Sequence, residues 1–86
     1  MALSLDIVTP QGVLASEQEL DRVVVRRREA KHDPGSEVAI CPRHGPLLMQ
    51  TQDCVLRLTR GRTTREFPVS AGVVEVFRDH ITLVIT

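Results

Sequence analysis

The chain has 86 residues, a length that fits one domain and leaves no room for a second. Eleven Lys and Arg residues balance eleven Asp and Glu residues, which argues against a nucleic-acid binder that relies on a basic excess. Two cysteines are too few for a disulfide-stapled scaffold, so we expect reduced thiols in a cytosolic-type compartment. No stretch approaches the roughly 20 apolar residues that span a bilayer, and the N-terminus lacks the features of a signal peptide.

The first half of the chain alternates apolar and polar residues, which predicts β-strands. Residues 3–7 alternate over LSLDI and stop at the turn residues TPQG of 9–12. Residues 13–15 predict a short second strand, and residues 20–25 predict a third. The polar segment 26–35 ends in Asp-Pro-Gly and predicts an exposed loop.

The second half continues this pattern. Residues 37–41 predict a short strand, and the two prolines and one glycine of residues 42–46 exclude a helix or a central strand there. Two hairpins follow, with strands at 55–60 and 64–70 and then at 72–77 and 80–85. No window has helical periodicity. The sequence therefore predicts one all-β domain over residues 1–86, an antiparallel β-sandwich or flattened barrel of about 8–10 short strands.

Four segments carry the motifs of one known family, in that family's order. They are LDIVTPQG at 5–12, LDRVVV at 20–25, ICPRHGPLL at 40–48 and VSAGVVEV at 69–76. The third segment is similar to the pattern Ile-x-Pro-Gly-His-Ala-Pro-Leu-Leu of the epsilon subunit of F-type ATP synthases, and the fourth to its Leu-Ser-Gly-Gly-Ile-Leu-Glu-Val. The resemblance implies a non-catalytic subunit of the central stalk, without a cofactor, that couples ion translocation to ATP synthesis or hydrolysis.

The resemblance also implies two partners, the gamma subunit and the ring of membrane-embedded c subunits. Through them the protein is expected at the cytoplasmic face of the bacterial plasma membrane, as a peripheral component. The residues that the resemblance places toward the c ring are Glu37, Pro42, Arg43, His44 and Pro46. Those that it places toward gamma are Leu47, Leu48, Met49, Val74 and Val76.

Two local features refine these expectations. The apolar run of Val73, Val74, Val76 and Phe77 predicts burial on both faces of its strand, one against the core and the other against gamma. Gly72 is expected where two backbones approach closely, since no Cβ intervenes.

The chain departs from the family pattern in three places. Residues 26–34 form a basic insert in place of a short glycine-containing turn, and Glu37 is the nearest match to the acidic residue with which the family contacts the ring. Arg43 and Gly45 replace the small residues beside His44. The family continues into a C-terminal helical hairpin that carries inhibition and, in some members, an ATP site. The residues up to Thr86 contain neither the inhibitory helical hairpin nor the ATP site, whether the chain is naturally short or truncated. We therefore expect the coupling role without regulation by that hairpin.

Metal binding and hydrolysis are weaker interpretations of the sequence. A zinc site could be imagined from His32, Cys41, His44 and Cys54, since Cys41 and His44 have the spacing of zinc ligands. The second pair is not spaced as a ligand pair, and Cys41 is expected to point into the core. Ser70, His44 and Asp53 supply the residue types of a hydrolase triad but lack a nucleophile elbow. We expect no metal, no cofactor and no catalytic residue.

The arginines around the Gly61 hairpin leave one alternative function open, a small β-domain that binds nucleic acid or an anionic surface. They are Arg57, Arg60, Arg62 and Arg65. Single-strand binders stack bases on aromatic side chains, and this chain has two Phe and no Trp or Tyr. A solvated strand face is therefore the favoured interpretation, and the run 26–28 is expected to be an exposed charged loop rather than a lipid contact.

Overall fold

A computed structural model describes residues 2–86, which form nine β-strands and no helix. The strands are β1 (Leu3–Thr9), β2 (Gly12–Leu20), β3 (Arg22–Arg26), β4 (Glu37–Ile40), β5 (Leu47–Thr51), β6 (Cys54–Arg60), β7 (Thr63–Val69), β8 (Gly72–Phe77) and β9 (His80–Ile85). Within residues 2–86 there is thus no helix of the length and apolarity that crossing a membrane requires.

The strands form two sheets, which pack face to face. The five-stranded sheet has the order β2-β1-β9-β8-β5, and the four-stranded sheet has the order β4-β3-β6-β7. The predicted β-sandwich is therefore confirmed. One pairing differs from the antiparallel expectation, because β1 and β9 run parallel. A parallel pair needs a long crossover connection, and here the seven strands between the first and the last provide it.

The core lies between the inward faces of the two sheets. Leu5 pairs with Ile81 and Ile7 pairs with Leu83 across the parallel pair, and each of these side chains is at most 1% exposed. Residues directly opposite in a sheet share a face, so this register forms one continuous apolar layer. The facing sheet supplies Val23, Val25, Ile40, Leu56 and Leu58.

β2 is longer than the sequence predicted. It pairs with β1 over Gly12–Leu20, although residues 16–19 (SEQE) show no apolar alternation. An edge strand is solvated on more sides than a central strand, so its hydrophobic pattern is weak. Register shifts occur at both ends of the pairing, and Glu19 adopts a φ of 58° at one of them.

β5 begins directly after the proline-containing segment and lies at the edge of the five-stranded sheet. The sequence did not predict this strand, whereas the prediction that residues 42–46 form neither a helix nor a central strand is confirmed. The predicted loop at residues 26–35 is also confirmed, because most of it is exposed and it contains only isolated bridges after β3.

Gly72 begins β8 where the chain passes very close to β9. A Cβ at this position would collide with the carbonyl oxygen of Val84 and would lie 2.9 Å from its carbonyl carbon. The Gly72 amide donates to Thr51 Oγ1 at 3.1 Å, which also ties β8 to β5. The predicted close approach of two backbones is confirmed.

Candidate functional site

Four valines cross the outer face of the five-stranded sheet as one row. Val13 pairs with Val8, Val8 with Val84, and Val84 with Val73. Because opposite residues share a face, the four side chains stand beside one another on β2, β1, β9 and β8. Val13 is 65%, Val84 47% and Val73 38% exposed. We call these four residues the valine row; contiguous exposed apolar side chains of this kind mark interaction surfaces.

A second apolar zone lies on the same face, four residues further along β8. Leu48 and Phe77 are 73% and 55% exposed, and they line a shallow groove together with Pro46. The guanidinium of Arg78 lies 5.1 Å from the centroid of the Phe77 ring, a cation–π distance that steadies the ring. Glu75 faces outward between the two zones. The outer face therefore has two apolar zones with a polar strip between them.

Three of the five residues predicted to face gamma have side chains that lie in the core of the isolated chain. Val74, Val76 and Met49 are 2%, 1% and 8% exposed and belong to the core. Leu47 is partly buried and packs against that core, so Leu48 is the one member of the set with a largely exposed side chain. Successive side chains of a strand point to opposite faces of the sheet. In β5 and β8 this alternation directs Met49, Val74 and Val76 toward the core.

The same alternation gives β8 one face in the core, with Val74 and Val76, and one outer face that is exposed in the isolated chain. Val73 and Phe77 point outward and are exposed, and sequence reasoning did not single them out as the outward residues. The signal that identifies them is the cross-strand register with Val84 on β9. A single sequence does not contain that register.

Backbone hydrogen bonds hold the corner at residues 42–46 in place. The His44 amide donates to the Cys41 carbonyl at 3.1 Å, and the Arg43 amide donates to Asp79 Oδ1 at 2.7 Å. His44 Nδ1 lies 2.7 Å from the Gly45 carbonyl oxygen, and this contact is a hydrogen bond when Nδ1 carries the proton. Arg43 has a φ of 67°, the left-handed conformation that glycine adopts without strain. The family pattern has glycine at this position.

The turn between β8 and β9 lies against this corner. Its two residues, Arg78 and Asp79, have φ values of 50° and 63°, as a two-residue hairpin loop of the I′ type requires. The Asp79 carbonyl also accepts from the Ser4 amide at 3.0 Å. One aspartate therefore ties together the corner, the turn and the start of β1.

β4 separates the predicted ring-facing residues. It runs from the insert to the corner, so Glu37 lies at one end of the strand, and Pro42, Arg43, His44 and Pro46 lie beyond the other. The five residues consequently do not form one contiguous surface. Pro46 instead borders the groove of Leu48 and Phe77 on the outer face.

Glu37 is engaged within the domain. Its Oε2 lies 2.8 Å from Nη1 of Arg57 on β6. The hydrogen bond from Arg57, reinforced by its positive charge, lowers the pKa of Glu37, and the same contact raises the pKa of Arg57. The two strands flank β3, so the ion pair spans β3 and lies near Val24, which is only 7% exposed.

The arginines around the Gly61 hairpin are mostly paired with carboxylates. Arg57 pairs with Glu37, and Arg60 and Arg65 pair with Glu17 at 3.6 and 2.7 Å. Of these four arginines, Arg62 alone has no ion pair in the part of the chain that the structure describes. This pairing reduces the positive charge available to phosphates and so weakens the basic-patch alternative.

The residues considered for metal binding and hydrolysis are not brought together. Cys41 is exposed rather than buried, because Ile40 ends β4 pointing inward and the next side chain turns outward. His44 precedes β5 and Asp53 follows it, so the strand separates them. Asp53 Oδ1 accepts from the Ala71 amide at 2.7 Å. Within residues 2–86, no cluster of three or more His, Cys, Asp or Glu side chains is suited to a metal ion.

A β-sandwich with an exposed apolar outer face and a rigid corner defines a protein-interaction domain. The chain belongs to the family of the ATP synthase delta/epsilon chain β-sandwich domain, whose sequence pattern matches residues 2–86. The family resemblance of the four segments is therefore confirmed.

Curated relatives give the same assignment. The ATP synthase epsilon chain of Alkalihalophilus pseudofirmus is 33% identical over 81 residues, which are 94% of this chain and 56% of that protein. The ATP synthase epsilon chain of Desulforamulus reducens is 37% identical over 81 residues, covering 92% of this chain and 54% of that protein. The chain thus spans about half the length of the relatives that it matches.

The fold also occurs in a solved structure. A chain in the cryo-EM structure of the central stalk/c-ring of the Tetrahymena thermophila mitochondrial ATP synthase superposes with a TM-score of 0.72. The match covers 100% of this chain and 64% of that chain, at 15% sequence identity. At that identity the likeness shows a shared fold.

Proposed function

We propose that the chain is the β-sandwich of a central-stalk subunit in an F-type ATP synthase, where it binds gamma and the c ring and performs no catalysis itself. In this role it couples ion translocation through the ring to the nucleotide sites. Its partners hold it at the cytoplasmic face of the plasma membrane. Family membership supports the assignment, and the valine row is the observation that carries the interaction.

The valine row supports a gamma interface on the outer face of the five-stranded sheet. Full burial of an aliphatic side chain contributes about 1.5–3 kcal/mol, so a partner that covers Val13, Val73 and Val84 gains several kcal/mol. Leu48 and Phe77 extend the surface toward the corner. One partner on this face would also meet Pro46, so the proposal assigns the corner to gamma.

The c ring is then assigned to the opposite end of β4, which holds Glu37 and the insert. This end differs from the corner in chemistry, because it presents charged and polar groups rather than an apolar groove. The polar connecting loops of a membrane-embedded ring suit such a surface. Of the five residues predicted to face the c ring, Glu37 is therefore the one that we still propose to lie on the ring side.

A binding experiment with matched variants tests the gamma interface. Val73→Asp places a charge in the valine row, whereas Val55→Asp places one on the four-stranded sheet at a similarly exposed valine of 45%. We expect Val73→Asp to raise the Kd for purified gamma at least tenfold, about 1.4 kcal/mol or more. Val55→Asp should leave the Kd within about twofold, because surface changes outside an interface cost little.

Thermal unfolding of both variants provides the folding control. If both remain folded and bind gamma with equal affinity, the outer face is not the gamma interface. If the unmodified chain shows no affinity for gamma at any salt concentration, the proposed function itself is wrong.

A further inference from the structure

The insert, residues 26–34, forms an ordered hairpin together with Gly35. Ala30 and Asp33 exchange backbone hydrogen bonds of 2.8 and 3.0 Å. Arg26 Nη1 donates to the Gly35 carbonyl at 2.9 Å, and the Gly35 amide donates to Asp33 Oδ1 at 2.8 Å. These contacts close the segment on itself, so the positions of its charged residues are defined by backbone structure.

The insert is also fixed to the edge of the five-stranded sheet. The Arg28 amide donates to the Gln50 carbonyl at 3.0 Å, and the Gln52 amide donates to the Arg26 carbonyl at 3.2 Å. Arg27 Nε donates to Met49 Sδ at 3.4 Å. The segment thus continues β3 onto the edge of β5, and it stands at the same end as Glu37.

The charges at this end are unbalanced. Residues 26–35 contain four Arg or Lys and two Asp or Glu, in a chain of zero net charge. The side chains of Arg28 and Lys31 are exposed and form no ion pair or hydrogen bond within the described residues 2–86.

The acids at this end are mostly occupied. Glu37 pairs with Arg57, Asp33 accepts from Gly35, and Asp53 accepts from Ala71. Glu29 is the one exposed carboxylate on the hairpin without such a partner in the described chain. A ligand approaching this end therefore meets positive charge.

We propose that the insert is an electrostatic docking arm, with Arg28 and Lys31 binding an acidic segment on an exposed loop of the c ring. The inference rests on the proposed function and adds the chemistry of the ring contact. Glu37 lies at this end, but Arg57 already balances its charge at 2.8 Å, so it adds no net negative charge to the surface. The recognition charge at this end is consequently cationic, and the matching ring loop is acidic.

An anionic membrane is the less suitable partner for the same cations. Lipid binding by basic segments rests on clusters of about 4–8 Lys or Arg, each worth about 1 kcal/mol near the surface. Arg26 and Arg27 keep their charge, but their side chains are held against the domain by hydrogen bonds to the Gly35 carbonyl and Met49 Sδ. Arg28 and Lys31, beside Glu29, are the two cations whose side chains form no such contact in the described residues. Two such cations on a hairpin whose backbone is anchored suit paired carboxylates on a protein better than a diffuse surface.

Charge reversal tests the arm. We compare the Arg28→Glu/Lys31→Glu double variant with an Arg22→Glu/Arg62→Glu control, which makes the same charge change at exposed residues near the Gly61 hairpin. Binding of each chain, complexed with gamma, to the c ring in zwitterionic nanodiscs is measured from 50 to 300 mM NaCl. The first double variant should bind the ring at least tenfold more weakly and with a flatter salt dependence. The control should stay within about twofold of the unmodified chain, because rim charges outside a contact change affinity little.

Two further measurements separate the possible failures. Equal ring affinity for the unmodified chain and Arg28→Glu/Lys31→Glu overturns the arm. Binding to phosphatidylglycerol vesicles that is lost in that variant, with ring affinity unchanged, overturns it in favour of a lipid contact. Affinity for gamma is measured on the same samples, and its absence in the unmodified chain would refute the proposed function rather than the arm alone.

Discussion

At Gly72 the backbone of β8 passes so close to β9 that no side chain fits, whereas at Gly45 nothing lies within 4 Å of a built Cβ. The two glycines therefore serve different purposes. Gly72 permits a close approach inside the sandwich, and Gly45 lies in the exposed corner. Neither has a positive φ, so a comparison between them isolates the steric effect from backbone strain.

Gly72→Ala should destabilise the domain by about 3 kcal/mol, because the new methyl group forces β8 away from the Val84 carbonyl. For a domain of this size that corresponds to a fall in Tm of more than about 10 °C. Gly45→Ala is the matched control and should change the free energy of unfolding by less than about 0.5 kcal/mol. Urea unfolding of the two variants measures the difference, and equal stabilities would contradict the close approach.

Three non-glycine residues at the corner end adopt left-handed backbone conformations. They are Arg43, Arg78 and Asp79. Each such residue costs of order 1 kcal/mol or more, and the Asp79 carboxylate offsets part of this cost through the Arg43 amide. Sequence reasoning identified the corner from its prolines, but it did not identify the left-handed conformations of Arg43 and Arg78, because Arg is not a residue that such positions prefer.

Among the elements, β3 is bridged by an ion pair between its two neighbours. Glu37 on β4 contacts Arg57 on β6 at 2.8 Å, and both side chains are somewhat under half exposed. The pair lies outside the core, so solvent weakens it. The effect of this ion pair on the stability of the fold is best measured as a function of pH, because the contact lowers the pKa of Glu37.

The Glu37→Gln variant should be less stable than the unmodified chain at pH 7, and the difference should vanish in acid. A carboxyl whose folded-state pKa is lowered stabilises the fold above its unfolded pKa, near 4.3. That contribution is lost as the pH falls through the lowered folded-state value. Urea midpoints at pH 7, 5, 4, 3 and 2 measure the trend, with Glu29→Gln as an exposed control. A difference that persists unchanged at pH 2 would contradict the role of the ion pair.

Prediction of these elements from the sequence succeeded where each strand carries its own signal. The hairpins β6–β7 and β8–β9 alternate clearly, and their bounds were predicted within about one residue. β2 was predicted too short, because SEQE at 16–19 follows no apolar pattern. Its conformation comes from pairing with β1, a tertiary effect that local sequence does not encode.

The candidate surface was harder to predict than the fold. Its valines come from four strands and from distant parts of the chain, at positions 8, 13, 73 and 84. Only the register between strands brings them together, and a shift of one residue would turn a strand's side chains to the opposite face. Val73 and Val74 are adjacent and chemically identical, so the sequence did not show which one points inward.

At the scale of the whole molecule, the sandwich presents one broad face and two unlike ends. The valine row, Leu48 and Phe77 occupy the outer face, the rigid corner lies at one end, and the cationic insert lies at the other. The first and last strands, β1 and β9, lie in the interior of the five-stranded sheet and pair with each other in parallel. This arrangement suits the proposed role, in which the domain holds two partners in a fixed relation.

Site-specific photo-crosslinking in the assembled ATP synthase tests the central claim, that the outer face of the five-stranded sheet binds gamma. A photoreactive amino acid is introduced at Val73 in one variant and at Val55, on the opposite sheet, in another. We expect a crosslink to gamma from position 73 and none from position 55. A crosslink to gamma from position 55 alone would contradict this claim.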